Sequence, residues 1–276
     1  MDRQKKFEKL KALHERDTTF VIANAWNGGS ARMLTALGYE ALATTSAGLA
    51  FSLGCRDSAL GLTRKQVLEN AKEIVESTHL PVSGDLEEGF GPSPQEVVDT
   101  VALACDFGLV GGAIEDATGD HSDPIFEFDL AVERIAAASE VAKSRCFLLT
   151  ARAENYLYGR PDLEDTIKRL VAFQKAGADV LYAPGLPSLE AIAEVCSALS
   201  KPVNVVMGLS EPRLTKEQLQ GVGVKRISVG GSFARAALGG FMRAAEEVLE
   251  FGTFNYASEA LPDAKAASYM SDKKRN

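Results

Sequence analysis

One local arrangement recurs four times along this chain and constrains its fold more than any other feature. The stretches ALGYEALAT (36–44), DFGLVGGAI (106–114), KAGADVLYA (175–183) and GVGVKRISV (221–229) each place a glycine at the end of a helical pattern, directly before an apolar run. A glycine just past a helix takes positive φ without a Cβ penalty and turns the chain back toward the next strand. Its recurrence marks iterated αβ units. Eight short runs read as strands: 20–25, 41–45, 81–85, 112–115, 146–151, 179–183, 202–206 and 225–229. Amphipathic stretches at 63–77, 94–107, 127–143, 162–176, 188–199 and 215–220 read as helices between them. Pro94 and Pro187 stand near helix starts, where a missing N–H costs little. This alternation predicts a single-domain α/β protein, a (β/α)8 TIM barrel closed by right-handed crossovers. A doubly wound open sheet is the alternative, but no GxGxxG follows the first strand.

The 276 residues, 46% of them hydrophobic, are enough for one such barrel of roughly 250 residues. The expected division is a barrel with its N-terminal helix over 1–252 and a tail over 253–276. A net charge of −8 argues against a nucleic-acid surface, which needs clustered Lys and Arg. The opening MDRQKKFEKLKALHERD has no apolar signal core, and no stretch approaches the roughly 20 apolar residues of a membrane span. The expectation is a cytoplasmic protein with no membrane and no nucleic-acid partner. Cys55, Cys105, Cys146 and Cys196 lie far apart with no CxxC, which argues against zinc and for a reduced compartment. Cys105 and Cys146 fall in apolar runs and read as core. Cys55, in a loop, is the one candidate reactive thiol.

In a barrel, chemistry sits at the C-terminal ends of the strands. Those ends read Asn24 to Asn27 after strand 1; Thr44, Thr45, Ser46, Ala47 and Gly48 after strand 2, with Arg56 and Asp57 beyond. Strand 3 ends in Asp85, Glu87 and Glu88, strand 4 in Glu115 and Asp116, and strand 5 in Arg152 and Glu154, while strand 7 contains Asn204. Asp85 and Glu87 are two apart, so an extended strand would set both on one face. Glu115 can reach the same volume. Converging carboxylates repel unless something positive lies between them, and hard oxygen donors suit Mg²⁺, or alternatively Mn²⁺. Arg152 is placed to clamp a substrate carboxylate, with Ser46 and the Ala47 N–H on its other oxygens. Each part also has a plainer reading: solvated strand ends, a surface Arg152–Glu154 pair, a packed Trp26. VGGS near Gly230 resembles a phosphate-binding turn but equally suits any tight turn, and Arg235 and Arg243 read as surface or interface residues. The coincidence of all the charged signals on one rim carries the functional reading.

GDLEEGFG, AIED, LLTARAE, TTSAG followed by SLGCRD, and KAGADVLYAPG together resemble the isocitrate lyase/phosphoenolpyruvate mutase superfamily, over about 20–252. The resemblance implies a Mg²⁺-dependent (β/α)8 barrel acting on a 2-oxo or 2-hydroxy acid through an enolpyruvate-type intermediate. It also implies a homo-oligomer, dimer or tetramer, whose C-terminal helix is swapped between subunits. Carried over by motif, Asp85 matches the family's metal aspartate, Glu87 stands where most relatives have a second aspartate, and Glu115 matches an outer-shell glutamate. Asp57 matches the acid of the loop after strand 2. Ser46, Ala47 and Gly48 match the substrate-binding turn, Arg152 the clamp, and Trp26 and Asn204 line the expected pocket. Glu87 adds a methylene, which suits metal contact through water.

The departures narrow the chemistry. The lyases carry a Lys-Lys/Arg-Cys-Gly-His loop after strand 4, and the mutases place Lys and Asn there; here the stretch is DATGDHSDP, 116–124. His121 is the only histidine near, hence the candidate proton donor. Decarboxylation of an oxaloacetate-like substrate needs no base to start, so a C–C lyase of that type is expected first. The alternatives are P–C mutase or hydrolase chemistry, a catalytically silent 2-oxo acid-binding homologue, and an unrelated Mg²⁺ pyruvate aldolase barrel. The segment from Leu261, with Lys273, Lys274 and Arg275, reads as a polar tail whose Ala-rich part suits a helix packed on a neighbour.

Overall fold

A computed structural model describes residues 2–57, 61–208 and 211–270. Its eight parallel strands close into a barrel in sequence order: β1 (Phe20–Asn24), β2 (Leu42–Ala43), β3 (Val82–Asp85), β4 (Gly111–Glu115), β5 (Leu148–Arg152), β6 (Val180–Tyr182), β7 (Val203–Val206) and β8 (Arg226–Ser228). Every expected strand is present, most of them shorter than their apolar runs. The four recurrent turns form as read: Gly38, Gly108, Gly177 and Gly223 have φ between 91° and 111°.

The helices begin where small polar side chains can take the first free N–H groups. Thr63, Ser93, Asp162, Ser188 and Thr215 cap α4 (Arg64–Glu76), α5 (Pro94–Asp106), α7 (Leu163–Ala176), α8 (Leu189–Ala198) and α9 (Lys216–Gly221). The remaining crossover is α6 (Phe128–Ser144). Two short helices add to the six expected stretches, the first of them ending at the turn read at Gly38. α2 (Gly28–Ala36) is opened by an Asn27–Ser30 capping box, and α3 (Ser46–Ser52) is capped by Thr45.

An additional helix, α1 (Arg3–Glu15), stops the N-terminal end of the barrel. Its Leu10 and Leu13 pack in a buried cluster with Phe20, Ile22, Val110 and Leu148. The opposite end is left open to the loops. After β8 the chain runs into α10 (Ser232–Phe251), of which only Ala234 is buried. Leu238, Phe241, Met242, Leu249 and Phe251 are exposed at helical spacing. A 3-10 turn (Asn255–Ser258) folds onto α10, and α11 (Asp263–Tyr269) contacts α2. The Ala-rich tail helix therefore forms, touching α2 of its own chain and otherwise exposed; Lys273, Lys274 and Arg275 lie outside the described residues. Among the described residues, no helix is long and apolar enough to cross a membrane.

Candidate active site

The open end of the barrel gathers charge around one guanidinium. Arg152 is the last residue of β5, and its Nη1 lies 3.0 Å from Glu115 Oε2 and 3.7 Å from Asp85 Oδ1. Its other side meets Glu154 in an ion pair, with Nη2 3.2 Å from Glu154 Oε2. The guanidinium also stacks 5.1 Å from the Tyr182 ring centroid. Strand register explains the meeting: Glu115 on β4 pairs Arg152 on β5, which pairs Tyr182 on β6. Asp85 is held from below and beside: it accepts from the Ser46 N–H at 3.0 Å, and its own N–H donates to Thr44 Oγ1 at 2.8 Å. A mouth of about 320 Å³ is lined by Ser46, Asp57, Glu87, Glu115, Arg152, Glu154, Leu157 and Tyr158.

The electrostatics follow from burial and crowding. Burial pushes the Glu115 carboxyl well above the usual range, with Arg152 opposing and Glu154, Asp85 and Glu87 adding repulsion. Burial raises Glu154 to about 7 and Glu87 to about 8, the latter also through Asp85, Glu88 and Asp57. Asp57 stands at the exposed lip, where partial desolvation and Asp85 raise it. Burial opposes the Arg152 charge, but Glu115 and Glu154 outweigh it and hold the guanidinium firmly protonated. Tyr158 is pushed up to about 12 by desolvation and by Glu115 and Glu154, so its hydroxyl keeps its proton.

Among the described residues, five carboxyl groups (Asp57, Asp85, Glu87, Glu115 and Glu154) thus surround one cation. That donor set is hard, oxygen-only and overcharged, which fits a hard divalent cation in chemistry. The arrangement is not a preformed cage. Among the described residues no three ligating side chains converge at metal spacing, and Arg152 contacts Asp85, Glu115 and Glu154.

The model of the phosphoenolpyruvate phosphomutase family matches residues 10–249. The chain belongs to that family. It is an enzyme of the isocitrate lyase/phosphoenolpyruvate mutase superfamily. A solved Burkholderia cenocepacia protein, provisionally termed a lyase/mutase, is 50% identical with a TM-score of 0.94 over 97% of this chain and 96% of that one. Oxaloacetate decarboxylase 2 of Pseudomonas fluorescens is 26% identical, covering 79% of this chain and 76% of its own. The 2-methylisocitrate lyase of Escherichia coli is 26% identical over 76% of this chain and 73% of its own.

Within this family member, the structure brings Ser46, Asp57, Asp85, Glu87, Glu115 and Arg152 together, though several by other means than the sequence suggests. β3 ends at Asp85, and Glu87 has φ 48°, so the two do not share a pleated face; a left-handed turn, not the strand, brings Glu87 to the mouth. Ser46 and Ala47 open α3 instead of forming a loop. Gly48 is closely packed: its N–H donates to Thr45 Oγ1 at 3.3 Å, and a Cβ there would stand 2.7 Å from Trp26 Cβ. Trp26 is half-buried beside it. Asn204 lies deep inside the barrel, its amide spent on Arg226 and Ser228. His121 is exposed on the β4–α6 loop and lines neither the mouth nor the chamber below it.

Two acids drop out of the rim cluster. Asp116 pairs with Arg169 at 3.2 Å and accepts from the Glu154 N–H at 2.8 Å, a structural tie, with burial raising it to about 6. Glu88 lines a separate pocket with Phe90 and Phe126. Sequence reasoning puts Glu154 on the rim without a role, with a surface pair as the plainer reading; it is 1% exposed and holds the guanidinium of Arg152. Tyr158 and Tyr182 were missed. Tyr182 had a signal: it occupies the β6 position level with the β5 arginine.

Proposed function

We propose that the protein is a divalent-cation-dependent carbon–carbon lyase that cleaves the bond at C3 of a small 2-oxo or 2-hydroxy dicarboxylic acid, with oxaloacetate decarboxylation favoured. The observation that carries this is the composition of the mouth: carboxylates, one arginine, Ser46 and Tyr158, with no Cys, Lys or His among the described residues lining it. Decarboxylation starts without a base. The C3–C4 bond breaks, CO₂ leaves, and the electron pair moves onto the 2-oxo oxygen, so the site has only to bind, orient and stabilise developing charge. Retro-aldol cleavage must in addition deprotonate a hydroxyl, and in this reading the carboxyls among the described residues of the mouth are already engaged by the cation, by Arg152 or at the lip.

Asp85, Glu87 and Glu115 are the residues to hold a Mg²⁺ or Mn²⁺ ion, which when bound would polarise the 2-oxo group as a Lewis acid. Arg152 Nη1 now faces Glu115 and Asp85. Once those oxygens are engaged elsewhere, Nη1 is the donor left for the substrate's 2-carboxylate, while Glu154 fixes the guanidinium plane from its far side. Asp57 stands at the lip of the mouth beside Asp85, where it can act on the bound substrate. Tyr158, protonated throughout the neutral range, is the hydroxyl available to the enolate at C3. His121 is not assigned this role, since it stands in solvent.

The similarity to an oxaloacetate decarboxylase and a 2-methylisocitrate lyase supports this reaction class. A coupled assay comparing pyruvate release from oxaloacetate, methylisocitrate and phosphonopyruvate tests it. Oxaloacetate should be turned over above its spontaneous rate, with loss in chelator and recovery on adding Mg²⁺. Release from phosphonopyruvate alone would transfer the assignment to P–C chemistry. The apolar face of α10 is proposed to be covered by a second copy of the chain, consistent with a dimer or tetramer exchanging this helix; light scattering would show a mass that is a multiple of 29.5 kDa.

A further inference from the structure

Beneath the rim lies a second buried guanidinium with a different set of neighbours. Arg226 opens β8 and is 5% exposed. Its Nε donates to Asn204 Oδ1 at 2.7 Å, Nη2 to Thr150 Oγ1 at 3.0 Å, and Nη1 lies 3.4 Å from His14 Nε2. All three partners are neutral. Burial and the Arg226 charge hold the His14 imidazole down at about 3, so it carries no proton that could be shed in compensation. Among the described residues no carboxylate comes within 4 Å of Arg226, although Arg152 meets three. Burial lowers the Arg226 guanidinium only to about 10, which leaves it a full cation at neutral pH. A buried charge without a countercharge is expensive, and one hydrogen on each terminal nitrogen is still unspent.

Arg226 also borders open space. With Asn24, Thr44, Tyr182, Asn204 and Ser228 it lines a chamber of about 70 Å³ that reaches up to Asp85 and Arg152. TIM barrels usually fill this volume with branched side chains. Here Ala43, Ser83, Gly84 and Ala113 leave it open. The chamber has room for at least one carboxylate group or a halide.

We propose that this chamber is an anion subsite in which Arg226 supplies the countercharge for one small monoanionic group. Two sources share that chemistry: the second carboxylate of the substrate, reaching down from the rim, and a free inorganic anion held beneath it. The first rests on the lyase reading above; the second does not.

Two measurements judge the subsite. In the first, gluconate is replaced by chloride, nitrate or formate at constant ionic strength, and melting is followed. The wild type should gain several degrees, saturably, and Arg226→Met should show no response. Arg226→Lys, which keeps the charge, should retain part of it and stands in if the methionine variant fails to fold. In the second, malate and pyruvate are titrated calorimetrically with Mg²⁺ present. If the substrate's own carboxylate fills the chamber, Arg226→Lys weakens malate more than tenfold and pyruvate less than twofold, and chloride competes with malate. If a free anion fills it, chloride leaves malate uncompeted and the melting response stands alone. Absence of any small-anion response in the wild type, together with equal effects of Arg226→Lys on malate and pyruvate, overturns the proposal. Should neither ligand bind the wild type, the lyase reading fails, and the melting series still decides the chamber.

Discussion

Two arginines are buried in the same barrel, and their surroundings are opposite. Arg152, at the open end, is in contact with Asp85, Glu115 and Glu154, and the mouth around it holds more carboxyl groups than one guanidinium can keep ionised, so several have raised pKa values. Arg226, three strands on and lower down, has Asn204, Thr150 and His14 as its side-chain partners among the described residues. Surplus carboxylates at the mouth suit a cation, and a bare guanidinium at the floor suits an anion. The difference shows that burial alone does not mark function. What marks it is which charge the surrounding residues fail to balance, because the missing countercharge is what a ligand must bring.

The strongest way to break the comparison is to remove the upper cation. Arg152→Met should lower turnover by about 10³ or more, since it deletes the principal donor to the substrate. It should also destabilise the fold by about 3–5 kcal/mol at pH 8, the usual penalty for stranding buried charge. Glu115 and Glu154 already have raised pKa values, so the folded state takes up protons before the unfolded one, and the loss should shrink as pH falls toward 5. Urea titrations at pH 8 and 5 measure this; a pH-independent loss would show that the carboxylates are not the cause.

The floor predicts the reverse slope. Unfolded His14 takes a proton near pH 6.5, whereas in the folded chain it does so only near 3. Stability is therefore full above 6.5 and falls as pH drops from 6.5 to 3, by on the order of 4 kcal/mol from this group. His14→Gln should flatten that acid limb in denaturant titrations, and an unchanged limb would remove His14 from the account.

A smaller effect sharpens the rim. Gly48→Ala puts a methyl 2.7 Å from Trp26 Cβ and 2.8 Å from Thr45 Cγ2, which should cost about 1–3 kcal/mol. The chain has one tryptophan, so its fluorescence reports directly whether Trp26 moves. His121→Ala should change turnover less than about twofold, because an exposed side chain outside the mouth has no route to C3.

The barrel was legible because its signals are local. Gly38 and Gly177 announce their turns by residue type, and Thr63 and Ser93 announce helix starts by capping chemistry. α3 was not legible, and α2 only at its end, where Gly38 marks the turn. Their sequences, GGSARMLTA and SAGLAFS, are short, and their starts are marked only by the Asn27 and Thr45 caps. At the site, the residue types and the rim were readable from strand ends, but pairing was not. Glu88 and Glu87 are neighbours in sequence, yet a positive φ at Glu87 sends one to the mouth and the other to a separate pocket. Arg226 had a period-two signal, since it alternates inward with Ser228. Its lack of a carboxylate depends on what β5, β7 and α1 bring beside it, and no single stretch contains that information.

Calorimetric titration of oxalate tests the central claim, that Asp85 and Arg152 form a cation-assisted 2-oxo acid site at the barrel mouth. Binding should require Mg²⁺, vanish with chelator, and be lost in Asp85→Ala while the variant melts as a folded protein. Oxalate binding that is indifferent to Mg²⁺, or that survives in Asp85→Ala, would contradict it.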